Sequence, residues 1–183
     1  MTWRDVEWLS AAADDPAVCR ETWANDPRAP YVVPTGRFFD VVTVEQRVGM
    51  EALDQLTRRR VPLGPAVLDH RARRVGFFLA PRGRADFARH LALEDGTAPA
   101  YRYLSHGSVV VVPGPAPRSG DRQEWLTAPS RRPPADPLAP VALAAVLVAA
   151  AELLTHVDRY GENTPPTSAF ALAGLKGAMT HAR

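Results

Sequence analysis

The chain has 183 residues, which is the length of one ordinary domain. Hydrophobic residues make up 46% and charged residues 23%, the mix of a globular protein with a hydrophobic core. The formal net charge is only +2, so the overall charge does not indicate nucleic-acid binding. Cys19 is the only cysteine in the sequence, which excludes an intrachain disulfide and a Cys/His zinc site. Because the N-terminal residues lack the apolar core of a secretion signal, we expect a cytoplasmic protein.

The first predicted elements are two short helices, and Asp14-Asp15-Pro16 ends the first and begins the second. A strand pair is predicted next, from Tyr31-Val32-Val33 and Phe38 to Val42, with Pro34-Thr35-Gly36-Arg37 as the turn between them. Thr43 has the character of an N-cap for the following helix, which runs to about residue 58.

A β-hairpin is predicted after this helix, because 66–68 and 75–79 are apolar runs that flank a polar stretch. A short helix over about 84–93 follows. Three further runs predict strands: they are 101–104, 109–112 and 123–126.

The C-terminal third differs in composition. Residues 130–140 are rich in proline and predict a linker or an extended strap. A long helix is predicted from Val141 to about Arg159, and its apolar run 141–151 is too short to span a bilayer. We therefore assign residues 1–129 to one domain with its core at 31–129. Residues 141–183 form a helical segment, with a short last helix near 168–179, that packs on this domain or on a second subunit.

Asp40 is the candidate acid on a predicted strand. Metal-dependent phosphoryl transfer needs acids that converge on one face, and on a strand such acids stand at positions i and i+2. Position i+2 from Asp40 is Val42, so no pair exists. Three interpretations of Asp40 follow. It is a polar residue at a strand end, or a buried acid whose oxygens accept from backbone N–H groups. The third interpretation is a catalytic acid assisted by Glu45 and another acid such as Asp69.

Basic residues cluster at 58–60, at 70–74 with two further arginines at 82 and 84, and at 131–132. If these clusters lie on one face of the folded protein, they could bind the phosphate backbone of a nucleic acid. The alternative is that they are ordinary solvent-exposed residues. His106, between two predicted strands, is either a phosphate contact or a turn residue without a function.

The order of several segments resembles the N-terminal domain of bifunctional DNA primase/polymerases, in a short, stand-alone form of the actinobacterial kind. The segments that carry the resemblance are 34–42, Gly49 with Ala52-Leu53, 63–65, 77–81, 106–115 and 123–126. Together they lie within about 31–129. The resemblance implies an α+β fold, with a mixed RRM-like sheet backed by helices.

The same resemblance implies nucleotidyl transfer that depends on Mg²⁺ or Mn²⁺ and on an acid-x-acid pair, a histidine and a third acid. This sequence keeps Asp40 alone from the first pair. The histidine position falls near 74–77 and the third acid near Tyr103, and neither residue type occurs there. We therefore predict a primase/polymerase-like fold whose catalytic site is degenerate and which needs no metal cofactor.

The sequence predicts a protein that binds single-stranded DNA or a nucleotide, in replication, in a mobile element or in regulation. Arg71, Arg73, Arg74 and His106 are the predicted contacts. One alternative is an active primase/polymerase that uses Asp40. Another is an interaction module that dimerises through the 141–154 helix. We expect no contact with a membrane.

Overall fold

The computed structural model describes residues 3–62, 64–130, 132–133 and 135–163. The helices in this part of the chain are α1 Trp3–Ser10, α2 Pro16–Asn25, α3 Gln46–Arg58, α4 Arg84–Leu93 and α5 Leu138–Asn163. The strands are β1 Tyr31–Pro34, β2 Asp40–Glu45, β3 Ala66–Asp69, β4 Arg74–Leu79, β5 Tyr101–Leu104, β6 Val109–Val112 and β7 Gln123–Thr127. The predicted α+β class is confirmed.

Two antiparallel sheets form the centre of the fold. The larger sheet has five strands in the order β5-β2-β4-β3-β7, and the smaller sheet pairs β1 with β6. The predicted hairpin is the β3–β4 pair, in which Asp69 lies opposite Arg74. β2 is central to the large sheet, with β4 on one side and β5 on the other.

The predicted pairing of the first two strands is wrong. β1 pairs with β6, not with the strand that follows it in sequence. The Thr35 N–H donates to the Ser108 carbonyl at 2.9 Å, so the chain after β1 stays bound to the start of β6. Val33 is buried in the same apolar cluster as Val110 and Val112 of β6, so packing between distant segments supports this pairing.

The predicted helix cap at Thr43 is also wrong. Thr43 lies within β2, opposite Gly76 on one side and Arg102 on the other, because the strand continues to Glu45. The Glu45 carboxylate caps α3 instead, and its Oε2 accepts a hydrogen bond from the Arg47 N–H at 2.7 Å. The predicted start of the second helix at Asp14-Asp15-Pro16 is confirmed, and the Asp15 side chain caps it by accepting from the N–H groups of Ala17 and Val18.

Each face of the large sheet is covered by a different layer. α3, α4 and α5 cover one face, where Val42 and Val44 of β2 are buried. α1, α2 and the small sheet cover part of the other face, where Val41, Val67 and Phe78 are buried. Successive residues of β2 therefore point to different layers, as the strand period requires.

α5 begins at Leu138, three residues earlier than predicted, and packs against α3 and α4. Its Leu143, Leu147 and Ala150 are buried in the core of the same chain. Residues 138–160 have a mean hydropathy of 2.1 over their most apolar stretch, so by length and composition alone this helix could cross a membrane. Core helices of soluble proteins share this property, and the absence of a membrane contact stays a prediction.

The proline-rich segment lies along the domain as a strap. The Trp8 indole N–H donates to the Pro129 carbonyl at 2.7 Å, and Pro133 is buried beside Gly64. The Arg132 guanidinium lies 5.0 Å from the centre of the Phe38 ring. The predicted helix at 168–179 lies outside the described residues.

Candidate functional site

Asp40 opens β2 and points into the layer of helices. Only 1% of it is exposed, and its direction matches that of Val42 and Val44. Its Oδ2 accepts a hydrogen bond from the Arg82 N–H at 3.0 Å and another from the Tyr103 hydroxyl at 3.2 Å. Its Oδ1 is buried and has no hydrogen-bond partner among the described residues.

Burial of Asp40 disfavours the charged form of its carboxyl group. Burial raises the pKa of Asp40, and the hydrogen bonds from Tyr103 and Arg82 and the charge of Arg84 oppose that rise. Burial and the nearby Asp40 also raise the pKa of Tyr103. Arg82 adopts a left-handed backbone with φ of 75°, which is uncommon outside glycine and aims its N–H at the carboxyl.

The donor set around Asp40 does not fit a site for two divalent cations. Such a site needs several carboxylate oxygens on one face, and the neighbours of Asp40 are a phenol, a backbone N–H and an arginine. No group of three or more His, Cys, Asp or Glu side chains in the described ranges is arranged to hold a metal ion.

The opposite face of the large sheet carries an open cleft of about 250 Å³ between the two sheets. The cleft is lined by Thr43, Val67, Asp69, Ala72, Arg74, Gly76, Arg102, Leu104, Val109, Val110 and Val111. Ala72 lies in the turn between β3 and β4, and the other residues come from β2, β3, β4, β5 and β6. Val67 and Val110 also belong to the apolar cluster beneath α1 and α2, so the cleft begins where that cluster ends.

Two arginines converge on the cleft from neighbouring strands. Arg74 donates through Nη2 to the Thr43 carbonyl at 2.8 Å and through Nε to its hydroxyl at 3.3 Å. Arg102 stands opposite Thr43 on β5. Neither guanidinium forms an ion pair within 4.0 Å in the part of the chain that the structure describes.

Burial and the neighbouring charges shift the pKa of Arg74. Burial lowers the pKa of Arg74 and the charge of Arg102 lowers it further, while Glu45 opposes both effects. The Glu45 carboxylate lies near but is engaged in capping α3. The cleft therefore presents two cations whose charges repel, and neither forms an ion pair within 4.0 Å with a carboxylate of the described residues.

Asp69, the acid in the cleft wall, is engaged elsewhere. Its oxygens accept from the Ala72 N–H at 2.7 Å, from the Gln123 side chain at 3.1 Å and from Arg122 at 3.3 Å. Burial alone would raise the pKa of Asp69, but these hydrogen bonds lower it below its usual value. Asp69 is therefore paired with Arg122, and its oxygens are already engaged by hydrogen-bond donors other than Arg74 and Arg102.

Gly76 keeps the floor of the cleft open. It lies in the middle of β4, where an added Cβ would meet methyl groups of Val41 and Val67, each at 3.1 Å. A glycine inside a strand often marks a place where another group approaches the backbone closely. Here the groups that approach Gly76 closely are the side chains of Val41 and Val67 on the neighbouring strands.

The structure separates the four predicted contact residues. Arg74 lies in the cleft, while Arg71 and Arg73 are exposed on the turn of the β3–β4 hairpin. His106 is exposed on the loop after β5, at the end of the large sheet where β2 begins. Sequence reasoning missed Arg102 in the cleft. The available signal was that Arg102 and Leu104 share one face of a predicted strand, but the pairing of β5 with β2 was not predictable from that signal.

The family model for the N-terminal domain of bifunctional DNA primase/polymerases matches residues 4–141, which is more than half of the chain. The chain belongs to this family. The predicted resemblance is thereby confirmed, and the match extends beyond both ends of the predicted region 31–129. No curated protein and no solved structure matches the chain. The primase/polymerase-like character is therefore shown by the family model alone.

Proposed function

We propose that this primase/polymerase-family chain binds a phosphate-bearing ligand, either a nucleotide or single-stranded nucleic acid, in the cleft between its sheets and does not catalyse nucleotidyl transfer. One observation carries the proposal. Arg74 and Arg102 enter the same cleft, and neither is paired with a carboxylate in the described part of the chain. An anion between them would satisfy both guanidiniums.

The energetics favour an anionic ligand. A partly buried cation loses hydration, and a second cation nearby adds repulsion, so both costs fall when an anion enters. Guanidinium groups bind phosphate oxygens through two parallel hydrogen bonds. The Thr43 carbonyl holds Arg74 in a fixed orientation, which reduces the entropy lost when a ligand binds.

The wall opposite the arginines suits the apolar part of a nucleotide. Val109 is 55% exposed and Val111 is 37% exposed, and both line the cleft. Ligand sites commonly combine an apolar lining with a few placed polar groups. A sugar or base against the valines and a phosphate against the arginines would use both walls.

The absence of polymerase chemistry is supported by the position of Asp40. Its carboxyl lies on the helical face of the sheet, while the cleft lies on the other face. The cleft places two arginines beside one acid, Asp69, and the oxygens of that acid are already hydrogen-bonded to other groups. Repulsion between these arginines and a metal ion argues against the active-enzyme alternative.

The dimer alternative receives no support from the 141–154 helix. Leu143 and Leu147 pack inside their own chain, against α3 and α4. A partner surface built on these side chains would require the core to open.

Fluorescence anisotropy with labelled oligothymidylate tests the proposal. Arg74→Gln combined with Arg102→Gln should weaken binding at low salt by tenfold or more. It should also lower the slope of log affinity against log salt by about 1.4, since each single-strand phosphate contact contributes about 0.7. Arg20→Gln with Arg59→Gln is the matched control, because it removes two exposed charges away from the cleft. Equal weakening by both pairs, or no binding by the unaltered protein, would overturn the proposal.

A further inference from the structure

The strand β6 meets the cleft with its edge and not with one of its faces. Val109, Val110 and Val111 all line the cleft, although successive residues of a strand point to opposite faces of a sheet. Three neighbours in a row reach one space where the strand presents its backbone to that space. β1, the pairing partner of β6, lies along the other edge of β6 and does not line the cleft.

The register of the small sheet identifies the backbone groups on this edge. The Thr35 N–H donates to the Ser108 carbonyl, and in an antiparallel pair such bonded positions alternate with positions that are not bonded. Ser108 and every second residue after it therefore bond to β1, whereas Val109 and Val111 direct their N–H and C=O groups away from it. Among the described strands β6 pairs with β1 alone, so these four backbone groups have no partner strand.

The free edge of β6 lacks the features that protect the other free strand edges. The described strands with a free edge are β1, β5, β6 and β7. β1 carries Pro34, which has no N–H to donate, while Arg102 lies on β5 and Glu124 on β7. Proline and charged side chains commonly prevent an edge from pairing with another chain. β6 consists of four valines, a residue type that favours strand pairing.

The surroundings of this edge select the side chains of an added strand. On the outer face of the small sheet Val109 is 55% exposed and Val111 is 37% exposed, so neighbours on that face should be apolar. The inner face turns toward the large sheet, where Arg74 and Arg102 line the cleft without an ion pair to a described carboxylate. Residues of the added strand that point inward should be acidic. Because the two directions alternate along a strand, acidic and apolar residues should alternate as well.

We propose that the free edge of β6 binds an extended peptide of another protein in which acidic and apolar residues alternate. The peptide adds a third strand to the small sheet, and main-chain hydrogen bonds to Val109 and Val111 provide affinity. Its carboxylates pair with Arg74 and Arg102, and its apolar side chains lie beside the exposed valines. Docking does not require the phosphate-bearing ligand, but the two ligands exclude each other because they use the same arginines.

Attraction between charges alone makes a different prediction. Carboxylates that are held only by the two arginines need no N–H groups in the peptide, so blocking those groups leaves the affinity unchanged. A strand on β6 needs them, because its N–H groups donate to the carbonyls of Val109 and Val111. Along an added strand, alternate N–H groups face β6 and the others face solvent.

Fluorescence anisotropy with the full chain and a labelled synthetic peptide of about five alternating glutamates and valines tests the proposal. We expect this peptide to bind and a lysine–valine peptide not to bind. Two further peptides carry methyl groups on the backbone nitrogens of either the glutamates or the valines. One methylated peptide should bind about tenfold more weakly and the other within about twofold, because only one set of N–H groups faces β6. Equal affinity of both methylated peptides and the parent peptide, or no binding of the parent peptide, would overturn the proposal.

A pair of proline variants tests the same edge from the side of the protein. Val111→Pro removes an N–H that faces the cleft and should weaken binding of the glutamate–valine peptide by about fivefold or more. Val32→Pro is the matched control, because Val32 lies opposite Val111 on β1 and is also exposed, but its N–H faces away from the cleft. It should leave peptide binding within about twofold. Similar effects of both variants would contradict the proposal, and if Val111→Pro does not fold, the methylated peptides decide.

Two further outcomes separate this inference from other uses of the cleft. If the unaltered chain is a dimer and Val111→Pro is a monomer, a second copy occupies the edge and the peptide proposal is wrong. Sedimentation measures this. If the glutamate–valine peptide binds and oligothymidylate does not, the proposed function fails and the docking edge stands. Binding of oligothymidylate without binding of the peptide gives the reverse result.

Discussion

The Arg74 guanidinium donates to the backbone carbonyl of Thr43 at 2.8 Å across the β2–β4 pair. This contact fixes the arginine on the surface of the sheet and leaves its charge without a carboxylate. A backbone oxygen accepts one N–H but carries no full negative charge, so the guanidinium keeps its affinity for anions. The ligand-binding properties proposed for this chain depend on that arrangement.

Filling the floor of the cleft should block binding. In Gly76→Val the new side chain would crowd Val41, Val67 and Thr43, and it would project from the strand at a residue that lines the cleft. We expect at least a tenfold loss of affinity for oligothymidylate and a stability cost of about 1–3 kcal/mol from overpacking. Anisotropy and urea unfolding measure the two effects.

The smaller Gly76→Ala change is the companion variant, and it should lose affinity to a lesser degree. Full affinity in a folded Gly76→Val protein would show that the ligand does not enter the cleft.

Polymerase activity should be absent. Extension of a primed template should not occur with Mg²⁺ or with Mn²⁺, because no group of three or more acids, histidines or cysteines among the described residues is placed to hold a metal ion. Gel analysis of extension products checks this, with an active polymerase in parallel to confirm the substrates. Product that disappears in Asp40→Ala would restore the active-enzyme alternative.

Asp40 should make stability depend on pH with an unusual sign. Its pKa is raised in the folded state, so its ionisation disfavours folding, and the cost appears as the pH rises from about 4 through the folded-state pKa. Below about pH 4 the carboxyl is neutral in both states and the cost vanishes. The stability of Asp40→Asn relative to the unaltered protein should therefore increase as the pH rises from about 4 to 7, as measured by urea unfolding.

Asp158→Asn is the control for Asp40→Asn, because the pKa of Asp158 is shifted in the opposite direction. Arg47 holds the pKa of Asp158 below its usual value through a hydrogen bond and its charge, so this carboxylate stabilises the fold above about pH 4. The relative stability of Asp158→Asn should fall as the pH rises to about 4 and stay level above it. If Asp40→Asn follows the same slope as Asp158→Asn, Asp40 is not a destabilised acid.

The buried face of α5 should be essential to folding. Leu147→Ala leaves a cavity at a position with no exposed surface, and we expect a loss of about 2–5 kcal/mol in the free energy of unfolding. Leu153→Ala on the exposed side of the same helix should cost less than about 1 kcal/mol. Denaturant unfolding measures both. Similar small losses would mean that α5 is not part of this core.

Much of the local structure was predictable from the sequence. Asp15 before Pro16 marks the start of α2, and the apolar runs around the polar stretch 69–74 give the β3–β4 hairpin. These features depend on residues close in the chain, whose capping and turn preferences act locally. Thr43 shows the limit of such preferences, because pairing with two neighbouring strands outweighed its tendency to cap a helix.

By itself the sequence determined the α+β class, the family, and the lack of an acid two positions after Asp40. Only the tertiary structure decided that Asp40 points into the helices and that Arg74 and Arg102 meet in one cleft. The physical reason is that alternation along a strand defines two faces but not the layer that covers each one. That choice depends on contacts between distant segments, here the pairing of β2 with both β4 and β5 and the packing of α5 over one face.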